Sequence, residues 1–89
     1  MAWTIEFDTK AIKQLQKMGD REARRVRDYL HERIKPLDNP RDAGLAMQGT
    51  KFAHLWRYKV GDYRIICEIK DKKLIVLVVE VGHRREIYR

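Results

Sequence analysis

Cysteine is nearly missing from this sequence: Cys67 is alone among 89 residues, so no internal disulfide can form. That excludes a disulfide-stapled secreted scaffold and a Cys-rich metal site, and a reducing, cytoplasmic setting is expected. Proline occurs twice and glycine five times, too few for a low-complexity linker. The longest apolar run, Leu74 to Val79, is far shorter than a membrane span. The opening residues Met1-Ala2-Trp3-Thr4-Ile5-Glu6-Phe7-Asp8 lack the basic flank and apolar stretch of a signal peptide.

Charge is what the chain has in excess. Charged residues make up 37%, and 20 Lys and Arg against 13 Asp and Glu leave +7 at neutral pH. On so small a body that surplus favours a polyanionic partner: nucleic acid, an acidic protein or an anionic membrane surface. The 44% hydrophobic share is enough for a globular core, and the length allows one domain, residues 1–89.

Periodicity orders the elements. Trp3, Ile5 and Phe7 alternate with Thr4 and Glu6, the pattern of a strand with one buried face. Asp8 or Thr9 can cap a helix carrying Ala11, Ile12, Leu15 and Met18 at helical spacing, which Gly19 would end. Asp20 can cap a second helix with Ala23, Val26, Leu30 and Ile34 on one stripe, stopped by Pro36. From Pro36 to about Lys51 no period is visible, and a loop is expected. Strand-like runs follow at Leu55 to Val60, Tyr63 to Ile69 and Leu74 to Val81. The expected fold is α+β, with order β-α-α-β-β-β: an antiparallel sheet with a two-helix hairpin on one face.

A two-residue turn at Gly61-Asp62 would set Lys59 opposite Arg64 and Arg57 opposite Ile66. Trp56, Tyr58, Val60, Tyr63, Ile65, Cys67 and Ile69 then share the helix face. Arg57, Lys59, Arg64, Ile66 and Glu68 share the open one. Like charges paired across a hairpin repel, so this arrangement points to a surface for phosphate, although charges on a strand's solvated face are commonly only solubilising. After Gly82, which would let the chain turn, come His83, Arg84, Arg85, Tyr88 and Arg89. Arginine can neutralise the added charge of a pentavalent phosphate, while Lys, His or Tyr can move protons. His31, His54 and His83 have no partners at metal-ligand spacing, so neither a metal nor another cofactor is expected. Trp3, Trp56 and Tyr58 read as packing residues and Cys67 as an inert buried thiol.

The opening Ile5-Glu-Phe-Asp8, the two-helix hairpin, the run Leu55-Trp-Arg-Tyr-Lys-Val-Gly-Asp-Tyr-Arg-Ile65 and the ending Val81-Gly-His-Arg-Arg-Glu-Ile-Tyr88 resemble, in order, the RelE toxins of the RelE/ParE superfamily. The resemblance spans nearly the whole chain. It implies a type II toxin that enters the ribosomal A site and cuts the bound codon by attack of the ribose 2′-hydroxyl on the neighbouring phosphate. It further implies a cognate RelB-like antitoxin that neutralises the toxin, operator DNA reached only through that antitoxin, and no membrane partner.

By position, the resemblance assigns catalysis to Arg57, Lys59, Arg64, Arg84 and Tyr88. Arg64 and Arg84 would hold the scissile phosphate, Lys59 would move a proton, and Tyr88 would orient a base or help deprotonate the 2′-hydroxyl. His83 is a further candidate for proton transfer, and Lys51, Arg21, Arg24, Arg25 and Arg85 are candidates for RNA binding. Leu55 stands where some relatives carry a lysine, and the Lys and Arg of the strand look exchanged in order, which leaves the general base open. Two other functions fit the same sequence: a ParE-like inhibitor of DNA gyrase, and a noncatalytic RNA-binding module.

Overall fold

The computed structural model describes residues 3–49 and 54–87. Strand β1 (Thr4–Phe7) passes directly into helix α1 (Thr9–Met18). Asp8 sits at the N-cap with extended backbone, and the Ile12 N–H closes onto its carbonyl at 2.9 Å. Gly19, at φ +89°, reverses the chain into helix α2 (Asp20–Tyr29), a conformation that L side chains rarely adopt. The helix continues through one π-type turn, Leu30–Ile34, and ends ahead of Pro36, which has no N–H to extend it. Ala11, Leu15, Ala23, Val26, Leu30 and Ile34 are the positions this hairpin buries.

The sheet is five-stranded, in the order β1-β5-β4-β3-β2. Strands β3 (Leu55–Val60), β4 (Tyr63–Lys70) and β5 (Ile75–His83) form the expected antiparallel meander. The expected antiparallel sheet carries one parallel pair, at the edge where β1 runs beside β5, Ile5 next to Val76 and Phe7 next to Val78. Hairpins force neighbours to run antiparallel, but β1 and β5 come from opposite ends of the chain and are free of that constraint. Side chains from the inner row, including Tyr58, Ile65, Cys67, Val76, Val78 and Val81, meet the helices in one buried cluster.

The segment expected to be a plain loop is tied down by aromatic donors. Trp3 Nε1 donates to the Asp38 carbonyl at 3.0 Å, Tyr58 OH to Pro40 at 2.7 Å and Trp56 Nε1 to Ala43 at 2.7 Å. Within it lie a 3-10 turn (Pro40–Asp42) and the short edge strand β2 (Leu45–Ala46), which pairs with Trp56 and Arg57. Arg41 grips Asp71 through both guanidinium nitrogens, at 2.8 and 3.0 Å, fastening this turn to the β4–β5 connection. A side-chain pattern cannot announce such a segment, because its order comes from carbonyls accepting from distant rings.

The end of the chain also departs from expectation. The strand does not turn at Gly82, which pairs with Arg64 inside β5; the turn comes after His83, into the short helix α3 (Arg84–Ile87). Gly82 serves a different need, since a Cβ there would lie 3.2 Å from Ile87 Cδ1. Its missing side chain leaves room for the Ile87 side chain against the sheet.

Candidate functional site

Pairing across the β3–β4 hairpin is the one the sequence predicts: Lys59 faces Arg64, Tyr58 faces Ile65 and Arg57 faces Ile66. The outer face of the sheet therefore carries one row of Leu45, Arg57, Ile66 and Glu80 and a second of Lys59, Arg64 and Gly82. Arg57, Lys59 and Arg64 line a single depression of about 280 Å³, closed on one side by Gly44 and Leu45 of the β2 segment. Gly44 lies against the backbone of β3: a Cβ there would collide with the Arg57 carbonyl and sit 2.8 Å from Trp56 Nε1.

The cations in this depression differ in burial. Lys59 is exposed and Arg57 intermediate, whereas Arg64 keeps only 9% of its surface. Arg64 Nη1 donates to the carbonyls of Gly61 and Tyr63, each at 3.1 Å. The guanidinium is thus held over the hairpin turn, and Arg64 lines the depression beside it. Ile66 beside it is also buried, at 3%, apart from the helix-side cluster.

The same turn reaches the other candidate arginine. Arg84 N–H donates to the Asp62 carbonyl at 2.8 Å, so neighbouring carbonyls of the turn hold the Arg64 side chain and the Arg84 backbone. From the helix side, Arg25 Nη2 covers Gly61 at 2.8 Å from where a Cβ would stand, while its Nη1 pairs with Glu22 at 3.1 Å. Gly61 has φ +57°, the left-handed geometry that a tight hairpin turn needs.

Not every predicted residue gathers here. His83 pairs with Tyr63, and both belong to the helix-facing set; with Arg85 they line a separate cavity against α1. One residue of strand parity separates His83 from Gly82 and puts its ring on the opposite face from Arg57, Lys59 and Arg64. Arg21 and Arg24 are exposed on α2, on the helix layer, and do not approach the depression. Lys51 and Tyr88 lie outside the described residues.

Some residues of interest were not singled out from the sequence. Lys10, Lys13 and Lys17 form a stripe along α1, with Lys10 paired to Glu80 at 3.4 Å. Their i, i+3, i+7 spacing was a readable signal on the polar side of a helix first read for its apolar side. Gln14, between them, accepts the Val81 N–H at 2.6 Å where β1 has ended and the edge of β5 would otherwise lack a partner.

Burial strongly raises the pKa of Tyr58 and of the Cys67 thiol, so neither is an acid-base candidate. Among the described residues no group of three His, Cys, Asp or Glu could hold a metal ion, and no helix is long and apolar enough to cross a membrane.

The family described as ParE toxin of type II toxin-antitoxin system, parDE, matches residues 5–88. The mRNA interferase toxin RelE of Escherichia coli (strain K12) is 29% identical over 91 residues, covering 99% of this chain and 92% of that one. The toxin-antitoxin complex RelBE2 from Mycobacterium tuberculosis contains a chain that superposes with TM-score 0.83 at 24% identity, covering 94% of this chain and 93% of that one. The isolated Escherichia coli RelE toxin gives 0.70 at 24% identity, with 92% and 84% covered. The chain therefore belongs to the RelE/ParE family of toxins of type II toxin–antitoxin systems.

Proposed function

We propose that this toxin is a ribosome-dependent mRNA endoribonuclease acting on the codon in the A site. The observation that carries this reading is the convergence of Arg57, Lys59 and Arg64 on one depression, with Arg84 tied to the same turn. Clustered like charge costs stability, and a phosphodiester is the ligand that offsets the cost. The name mRNA interferase borne by a 29% identical relative supports the same activity.

In the proposed reaction the ribose 2′-oxygen forms a bond to the adjacent phosphorus while the bond from phosphorus to the 5′-oxygen breaks. The products are a 2′,3′-cyclic phosphate and a 5′-hydroxyl. Arg64 and Arg84 stabilise the charge that builds on the non-bridging oxygens, a contribution of about 10²–10³ in rate for a well-placed donor. Lys59 moves a proton at one of the bridging oxygens. Arg57 stays protonated at any relevant pH, so it donates hydrogen bonds to phosphate and does not act as a base. Tyr88 is assigned the base or the 2′-hydroxyl, Lys51, Arg21, Arg24 and Arg25 contacts to RNA, and the ribosome supplies the bent message.

The partner that silences it is a RelB-like antitoxin with an acidic segment for the cationic depression; chains of this fold occur in toxin-antitoxin complexes from Mycobacterium tuberculosis and Escherichia coli. Operator DNA is reached through that antitoxin. Primer extension on translated message, with and without ribosomes, tests the reading: cuts within codons only when ribosomes are present are expected, and their absence would refute it. A second reading, inhibition of DNA gyrase, is favoured by the ParE description of the matching family. Loss of gyrase supercoiling without message cuts would select it.

A further inference from the structure

The cavity that takes His83 away from the depression has the makings of a site of its own. It is an open cleft of about 580 Å³ where β5 runs past the end of β1, between α1 and α3, a size that suits a small ligand. Its walls include Lys17 and Met18 from α1, Tyr63 and His83 from the sheet, and Arg85 and Glu86 from α3. The geometry points to a second nucleotide subsite here, for a single-stranded RNA residue flanking the one that is cut, with the phosphate on Lys17 and Arg85 and the base against Tyr63 and His83. The inference rests on the RNA reading above and adds to it where the strand continues.

Each part of the cavity offers what one part of a nucleotide needs. Tyr63 and His83 pack edge to face, with centroids 6.0 Å apart and planes at 76°, so the rings meet at an angle and present an aromatic corner. Unstacked RNA bases are held on such surfaces. His83 Nδ1 accepts the Arg85 N–H at 3.2 Å, which puts the proton of the neutral ring on Nε2 and leaves that atom as a donor. Lys17 and Arg85 are exposed cations on opposite walls, suited to phosphate oxygens.

Glu86 would repel phosphate but accepts hydrogen bonds from a base edge, and guanine, with N1–H and an amino group side by side, matches a carboxylate best. Arg64 pairs with Gly82 and Tyr63 with His83, so the depression and the cavity occupy opposite faces of consecutive pairs in the same two strands. A strand crossing the end of the sheet joins them.

Nuclear magnetic resonance titration of the full-length protein with guanosine and uridine 5′-monophosphates tests the site, read at the His83 ring. Guanosine monophosphate should shift His83 and bind more tightly than the uridine nucleotide. Lys17→Ser or Arg85→Ser, at exposed positions, should each weaken binding about tenfold, and Glu86→Gln should remove the preference. An unmoved His83, or equal affinity in the Lys17 and Arg85 variants, overturns the subsite. Message cleavage measured in parallel separates the two readings. Cleavage with His83 unmoved fails the subsite alone; His83 shifts with no cleavage support the subsite and fail the nuclease.

Discussion

Lys59 and Arg64 stand directly opposite each other on the outer face of the β3–β4 hairpin, two cations where a stable ladder would place opposite charges or threonines. Lys59 is exposed, whereas Arg64 is drawn down onto the carbonyls of Gly61 and Tyr63. The pair therefore consists of a guanidinium held on the turn and an exposed ammonium. Replacing Lys59 by Thr should raise stability by about 0.2–1 kcal/mol through relief of repulsion. Cleavage of ribosome-bound message should fall at the same time, by about 10²-fold or more. Denaturant melts and a single-turnover assay on one preparation show both; a variant neither more stable nor less active would remove Lys59 from the site.

Gly44 and Gly49 give a matched test of packing against backbone strain. Both have positive φ, +75° and +92°, but an added Cβ meets β3 at Gly44 and meets nothing within 4 Å at Gly49. Gly49→Ala should cost about 1–2 kcal/mol from backbone strain alone. Gly44→Ala should cost distinctly more and separate β2 from β3, read as loss of amide protection at Leu45 and Ala46. Equal melting temperatures for the two variants would contradict the close packing.

Tyr58→Phe removes the buried hydroxyl that holds the Pro40 carbonyl at 2.7 Å while keeping the ring. A loss of about 1–3 kcal/mol is expected from the unsatisfied carbonyl, with faster hydrogen exchange in the 38–46 segment. Unchanged exchange there would mean that the aromatic ties do not order this segment.

The Arg41–Asp71 pair sets an acid limit. Its hydrogen bonds lower the pKa of Asp71, so the stabilisation is present above the unfolded carboxyl value of about 3.9 and is lost as pH falls through the lower folded value. Both side chains are well exposed, and the effect is therefore small. Asp71→Asn should melt slightly below the unaltered protein at pH 7, and the gap should close as the pH drops below about 4. A gap that widens in acid would have the wrong sign.

The legible parts of the fold were those carried by period and turn chemistry. The helix hairpin from Ala11 to Ile34 and the β3–β4 register followed from side-chain spacing and from Gly61-Asp62, and with that register came the shared face of Arg57, Lys59 and Arg64. Less visible was whatever depends on groups without a pattern. The parallel pairing of β1 with β5 has no hairpin to signal it, and β2 is held by carbonyls accepting from Trp56 and Tyr58. The placement of His83 turned on a single residue of parity, since a strand that continues through Gly82 sends the next ring to the helix side.

The most direct measurement of the central claim is the rate at which Arg64→Gln cuts ribosome-bound message, with its melting curve recorded beside it. If the guanidinium held on the turn stabilises the phosphorus centre, the rate falls by about 10²–10³ while the protein remains folded and still binds its antitoxin. A folded variant cutting at the unaltered rate would contradict the account.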